Sequence, residues 1–302
     1  MTSTLIAEIS NAIADASGEA FRVSRQFSAS GGCINHSLIL AGVDGRRFFV
    51  KLNQAAQLSM FEAEAAGLAE LIGAQAIRVP EPLTRGLAAG QSFLVMEWLD
   101  LSQCGDSGNP GGNPGSKLGE RLAMLHSKTW RAFGWWRDNT IGSTRQANSA
   151  TNNWIDFYRD QRLAPQLDLA ARHGAERALL DSGERLLAEL DAFFPGYSPQ
   201  PSLLHGDLWS GNTGYCEGEP VLFDPAVYYG DRETDIAMTE LFGGFPDAFY
   251  AAYNAAWPLD QGYSSRKLLY QLYHLLNHFN LFGGAYAGQS QTAIKRLLAA
   301  LR

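Results

Sequence analysis

Leu203-Leu204-His205-Gly206-Asp207-Leu208-Trp209-Ser210-Gly211-Asn212, followed by Val221-Leu222-Phe223-Asp224-Pro225-Ala226, is the stretch on which the reading of this chain turns. Asp207 and Asn212 stand five positions apart, and Gly206 and Gly211 permit the tight backbone that brings both side chains to one place. Asp224 follows at the end of a short apolar run. A carboxylate, an asparagine and a second carboxylate in this order suit phosphoryl transfer. Asp207 orients a hydroxyl as the catalytic base, and Asn212 and Asp224 hold Mg²⁺ against nucleotide phosphates. His205 is expected to prop the loop rather than perform chemistry. The chain reads as a small-molecule kinase that uses ATP and Mg²⁺.

Composition agrees with an enzyme and excludes other classes. The 302 residues are 46% hydrophobic and 18% charged, enough for a sizeable core and unlike a disordered chain. A net charge of −7 argues against nucleic acid, which calls for a basic face. The three cysteines, Cys33, Cys104 and Cys216, are far apart and without a C-x-x-C pair, so neither a disulfide framework nor a zinc site is indicated. The N-terminus lacks a basic leader, and no apolar run reaches the roughly 18 residues of a membrane span. A cytoplasmic protein, with no membrane or nucleic-acid partner and acting as a monomer or homodimer, is the expectation.

Outward from the motif, the N-terminal part predicts a helix over 3–16, with Leu5, Ile6, Ile9 and Ile13 at helical spacing and Gly18 as the stop. Strands are expected at 21–27, 37–41 and 47–52, the last two joined by Val43-Asp44-Gly45. A helix over 55–72, a connector at Val79-Pro80-Glu81-Pro82 and a strand over 93–96 complete the order β-β-β-α-β. The stretch 103–116, rich in Gly, Asn and Pro, reads as an insertion or linker. Helices are then expected at 117–127, 153–170, 177–194 and two or three times between 247 and 301. The catalytic loop and Asp224 sit on a small hairpin among them. The resulting class is α+β, a protein kinase-like bilobal fold. A small antiparallel-sheet nucleotide-binding lobe covers 1–99, and a larger, mainly helical catalytic and substrate-binding lobe covers 100–302.

Within the first lobe, Lys51 ends the apolar strand Phe48-Phe49-Val50, in reach of phosphate oxygens. Glu64, on the following helix, is placed to pair with it; Glu62 lies about 200° away around that helix and cannot share its face. Gly31 and Gly32, in the loop Ser28 to His36, can present backbone N–H groups to phosphates, although the segment departs from G-x-G-x-x-G and a plain hairpin loop reads equally well. Cys33 in the same loop is a candidate for oxidation if phosphate-binding groups favour its thiolate. Glu97 and Leu99, in Met96-Glu97-Trp98-Leu99, are the candidate hinge contacts for an adenine edge.

With those residues in view, the chain resembles the fructosamine kinase family, also called ketosamine-3-kinases, within the aminoglycoside phosphotransferase and choline kinase-like superfamily. The resemblance spans almost the whole chain. Its marks are Gly31-Gly32-Cys33-Ile34, Phe49-Val50-Lys51, Met60-Phe61-Glu62-Ala63-Glu64, Val79-Pro80, Phe133-Gly134 and Asn139-Thr140-Ile141-Gly142. The two discriminating blocks are His205 to Asn212 and Asp224-Pro225-Ala226 with Tyr229-Gly230-Asp231-Arg232-Glu233-Thr234-Asp235. The resemblance implies ATP-dependent phosphorylation of the C3 hydroxyl of a ketosamine, a ribulosamine, erythrulosamine or fructosamine adduct of an amine, as a deglycation repair. In this reading Trp209, beside Asp207, is placed to stack on the sugar or linked amine, with a structural aromatic as the alternative, and Asp231, Glu233 and Asp235 supply negative charge near the acceptor side that suits a secondary ammonium. Asp235 has the alternative of bracing the catalytic loop, and His274, Asn277 and His278 are more naturally core groups than cleft lining. An aminoglycoside or choline-like acceptor on the same fold is the alternative function. Readings as a metal-dependent phosphohydrolase, built on Asp207, Asp224, Asp231, His205 and His278, or as a non-catalytic nucleotide binder account for fewer of these residues.

Overall fold

The structure is a computed structural model and describes residues 3–29, 34–101 and 114–301. Its first part is a sheet with a helix on each side. Helix α1 (Ser3–Ser17) turns Leu5, Ile9 and Ile13 inward, and all three are almost completely buried. They meet Leu38, Leu40, Val50, Leu52, Phe93 and Val95 from one face of the sheet. Burying each such aliphatic chain contributes about 1.5–3 kcal/mol.

The sheet comprises β1 (Val23–Ser28), β2 (His36–Gly42), β3 (Arg47–Gln54), β4 (Pro82–Ala88) and β5 (Gln91–Glu97) in the order β1-β2-β3-β5-β4, antiparallel throughout. At the β2–β3 turn, Gly45 takes a φ of 87° and the Asp44 carboxylate accepts the Arg46 N–H at 3.0 Å, as the Asp-Gly pair foretells. Helix α2 (Leu58–Ala74) covers the other face with Phe61, Leu68 and Leu71 against Leu94 and Met96. Strand β4 is a correction to the expected β-β-β-α-β order. It is an edge strand with little apolar alternation, opened by Pro82, whose missing N–H costs nothing at a strand's first residue.

Of the expected insertion at 103–116, residues up to Asn113 lie outside the described residues, as do Gly31, Gly32, Cys33 and Cys104; Pro114 to Ser116 already belong to α3 (Pro114–His126). The remainder is mainly helical: α4 (Trp154–Tyr158), α5 (Ala164–Arg172), α6 (Arg177–Ala188), α7 (Glu233–Thr239), α8 (Asp247–Ala256), α9 (Tyr263–Phe282) and α10 (Tyr286–Ala300). Asn153 caps α4 by accepting the N–H groups of Ile155 and Asp156. A π-helical turn at Arg159–Leu163 separates α4 from α5 within the single helix expected over 153–170. Among the described residues, no helix is long and apolar enough to cross a membrane.

Three small hairpin-like ladders are set into these helices: β6 (Asn139–Ile141) with β7 (Thr144–Gln146), β8 (Ser202–Leu204) with β11 (Tyr228–Gly230), and β9 (Thr213–Cys216) with β10 (Glu219–Leu222). The loop leaving β8 and the loop leaving β10 run side by side, because Phe223 N–H donates to the Asn212 carbonyl at 3.1 Å and Ala226 N–H to that of His205 at 2.8 Å. Leu222 N–H donates to the Arg78 carbonyl, which ties this hairpin to the connector after α2. Glu70 on α2 accepts from Tyr229 Oη at 2.7 Å and Trp135 Nε1 at 3.3 Å, so the sheet's helix is anchored on the helical part as well.

Candidate active site

Lys51 lies in the interior of β3, opposite Ser37 and Leu94, and is 4% exposed. Its Nζ donates to Glu64 Oε1 at 2.5 Å and to Asp224 Oδ1 at 2.6 Å. Burial works against this ammonium, yet the Asp224 and Glu64 carboxylates prevail and raise its pKa above the ordinary lysine value. A strand, a helix and a loop thus deliver one cation between two carboxylates.

Asp224 has a φ of 57°, the left-handed region that non-glycine residues seldom occupy and that aspartate tolerates better than most. Across from it, Asn212 Nδ2 donates to the Asp207 main-chain oxygen at 2.9 Å and to its Oδ2 at 3.3 Å. Burial and the charge of Asp224 push the Asp207 carboxyl up to about 7, against the hydrogen bond from Asn212. Asp207 is therefore held where a proton can be exchanged near neutrality.

The loop carrying Asp207 is braced from behind. His205 Nδ1 accepts the Asp207 N–H at 3.2 Å, so its Nε2 carries the proton donated to the Phe223 carbonyl at 3.0 Å. Burial holds this imidazole neutral. Asp235, on α7, accepts the N–H groups of His205 at 2.7 Å and Gly206 at 2.9 Å, and pairs with His126 Nε2 at 3.2 Å. Burial opposes its charge, but hydrogen bonds from His126 and Gly206 hold its carboxyl below the usual range. Gly206 has a φ of 84° and its backbone runs against Ala226: a Cβ there would stand 2.1 Å from the Ala226 carbonyl oxygen.

Lys51, Glu64, Asp207, Trp209, Asn212 and Asp224 all line one cavity of about 510 Å³ between the sheet and the helical part. Trp209 is 37% exposed and lies across Gly211, whose absent Cβ leaves room for the indole. Asn277 and His278 line this cavity too, although the sequence favoured core roles; His274 alone of the three is buried away from it. Asn139 and Thr140 of β6, and Phe282 and Tyr286 near the α9–α10 junction, line it as well. Asn139 and Thr140 belong to a block already marked in the sequence, but spacing alone gave them no role.

Asp231 and Glu233, expected on the acceptor side, are fully buried elsewhere. Asp231 accepts from Tyr270 Oη at 2.5 Å and Tyr197 Oη at 3.0 Å, and Glu233 pairs with Arg266 Nε at 2.8 Å. Their charge serves the packing of α7 against α9. Glu97 and Leu99 do not line the cavity; the Glu97 carboxylate pairs with Arg78 at 2.7 Å and its N–H donates to the Glu81 carbonyl. Gly31 and Gly32 lie outside the described residues. With Asp231 remote and both His205 nitrogens engaged, the phosphohydrolase centre has no basis.

The donor set suits a hard cation. Asn212 Oδ1 accepts no hydrogen bond among the described residues, and Asp224 offers carboxylate oxygen beside the crowded charge of Asp207. No group of three or more His, Cys, Asp or Glu side chains able to hold a metal occurs among the described residues.

A family model described as fructosamine kinase matches residues 5–300. A probable ketoamine kinase of Synechocystis sp. is 47% identical over 293 residues, which cover 96% of each chain. A chloroplastic protein-ribulosamine 3-kinase of Arabidopsis thaliana is 41% identical over 289 residues, 94% of this chain and 86% of the relative. Among solved structures, a Haemophilus somnus protein provisionally assigned as a fructosamine-3-kinase superposes with a TM-score of 0.87 at 30% identity, covering 98% of both chains. A thermostable mutant of an aminoglycoside phosphotransferase, solved with ADP and hygromycin B, has a TM-score of 0.63 at 17% identity over 97% of this chain and 98% of that one; this likeness extends to the fold, which is kinase-like.

Proposed function

The chain belongs to the fructosamine kinase family, and on that premise we propose that its cavity transfers the terminal phosphate of ATP to the C3 hydroxyl of a ketosamine. The carrying observation is the convergence of Lys51, Glu64, Asp224, Asn212 and Asp207, drawn from a strand, a helix and two loops, on one cavity. Asp207 orients the acceptor hydroxyl and takes its proton as the oxygen attacks phosphorus. Lys51, fixed by Glu64, binds nucleotide phosphate oxygens. Asn212 and Asp224 would hold Mg²⁺, which when bound would supply neutralisation of the phosphate charge. Trp209 lends an aromatic face to the sugar or its amine.

The product explains the use of such an enzyme. A phosphate at C3 lies β to the C2 carbonyl and leaves readily, and its elimination destabilises the adduct so that the amine is released. Reaction in the cytoplasm, where ATP is abundant, by a monomer or homodimer belongs to the same reading. Supplying Mg-ATP with ribulose-, erythrulose- and fructose-lysine, beside aminoglycosides and choline, and following ADP release tests it. Turnover confined to the ketosamines is expected; turnover confined to the aminoglycosides or choline refutes it.

A further inference from the structure

Arg162 is 0% exposed, and no carboxylate stands within ion-pair distance of it among the described residues. Its guanidinium is stacked instead on aromatic faces, 4.0 Å from the ring centre of Tyr228 and 4.6 Å from that of Phe157. Burying a lone cation is costly, and the π-helical turn Arg159–Leu163 that carries it is a rare distortion found often at functional sites. A purely packing role would be met at lower cost by an apolar chain.

What Arg162 does is visible from its hydrogen bonds. Nη2 donates to Asn148 Oδ1 at 2.7 Å, while Nη1 donates to the carbonyls of Ala147 and Gln161 at 2.6 and 2.8 Å. A guanidinium only donates and stays protonated, so Asn148 must present its oxygen to it and its amide nitrogen to the other side. There Asn148 Nδ2 donates to Asn139 Oδ1 at 2.9 Å, which in turn leaves Asn139 Nδ2 to donate to the Val227 carbonyl at 2.7 Å. Gln146, held by Tyr273 Oη at 2.7 Å, donates to Asn139 Oδ1 at 2.9 Å and to the Ala226 carbonyl at 3.1 Å. A carboxamide can point either way; here Asn148 Nδ2 also donates to the Arg137 carbonyl at 3.1 Å, and the guanidinium together with the carbonyls of Arg137, Val227 and Ala226 fixes all three.

We propose that Arg162 is a positioning residue: it anchors the buried end of the Asn148–Asn139–Gln146 amide relay and thereby steadies the Ala226–Val227 carbonyls that follow Asp224. The segment needs pinning, because Asp224 occupies the left-handed region and would relax if its C-terminal neighbours were free. This inference deepens the proposed reaction and rests on Asp224 being a metal-binding residue in it.

The test uses Arg162→Met, which removes every donor, Arg162→Lys, which restores the charge on a single donor nitrogen, and Asn148→Leu, which cuts the relay at its second link. Mn²⁺ affinity in the presence of ADP, read by electron paramagnetic resonance well below each variant's melting temperature, is measured beside kcat and the KM for ketosamine. Arg162→Met and Asn148→Leu are expected to weaken Mn²⁺ binding and lower kcat about 10-fold each, with ketosamine KM changed less than about twofold and Arg162→Lys recovering most of both. Folded Met and Leu variants with parental Mn²⁺ affinity and kcat overturn the proposal, as do variants that lose only thermal stability. A parent protein that turns over ketosamine but binds Mn²⁺ without involving Asp224, shown by unchanged affinity in Asp224→Asn, overturns the positioning role while leaving the reaction standing; a parent that phosphorylates no ketosamine overturns the reaction itself and, with it, this role.

Discussion

Lys51 Nζ and Asp224 Oδ1 stand 173 positions apart in sequence and meet at 2.6 Å, with Glu64 on the other side of the same ammonium. One cation therefore holds together a strand of the sheet, the helix packed on it and the loop of the helical part. Replacing it by an apolar chain leaves two carboxylates facing each other without a counter-charge. Lys51→Met is expected to raise the KM for ATP and lower kcat, together costing on the order of 10²-fold in kcat/KM. Steady-state kinetics at fixed ketosamine check this; a parental KM for ATP would contradict it.

In the proposed reaction Asp207 acts as base mainly in the transition state, so its loss should be felt in turnover rather than in binding. Asp207→Ala is expected to lower kcat by about 10²–10⁴-fold while the nucleotide dissociation constant moves little. Stopped turnover with intact binding in calorimetry is the expected pair of results. Unchanged kcat would remove Asp207 from its role.

Two glycines in the same loop should respond differently to one added methyl group. At Gly206 the Cβ would meet the Ala226 carbonyl oxygen at 2.1 Å with φ at 84°, and backbone cannot step aside. Gly206→Ala is expected to cost on the order of 3 kcal/mol and most of the activity. At Gly211 the Cβ would meet the Trp209 ring at 2.3 Å, and a partly exposed side chain can swing away. Gly211→Ala should melt near the parent, keep its KM for ATP, and raise the KM for ketosamine severalfold. Equal effects from the two substitutions, by thermal melting and kinetics, would contradict this geometry.

His274 offers a pH test of the fold. Burial, with His278 and Arg162 nearby, depresses its pKa to about 3, whereas the unfolded chain titrates near 6.5. Between those values the unfolded state binds the extra proton, so the contribution of this residue is complete above about pH 6.5 and is lost as pH falls toward 3. An asparagine does not titrate. The stability advantage of the parent over His274→Asn should shrink by roughly 2 kcal/mol between pH 8 and pH 5, measured by urea unfolding. A pH-independent difference would show that His274 is not held neutral by the fold.

The sheet, both helices against it and the cavity-lining set from Lys51 to Asp224 were legible because their signals are local and strong. Lys51 interrupts an apolar run, Asp44-Gly45 is a strong turn signal, and Asp207, Asn212 and Asp224 carry the spacing that the proposed phosphoryl transfer calls for. Strand β4 escaped because its hydrogen-bonded backbone, rather than its side chains, joins it to β5. Asp231 and Glu233 were misplaced because a buried carboxylate reads in sequence like an exposed one; only the partners Tyr270, Tyr197 and Arg266, brought by distant helices, reveal the difference. The same holds for His278, which lines the cavity from a helix whose orientation no periodicity fixes, and for Arg162, whose relay joins residues from β6, β7 and the π-helical turn.

The most direct measurement of the central claim is phosphorus and carbon NMR on the product formed from Mg-ATP and ribulose-lysine. Phosphorus coupled to C3, formed by the parent and reduced at least 10²-fold by Asp207→Ala, is the predicted result. Phosphate attached at another carbon, or formed equally well without the Asp207 carboxylate, would contradict it.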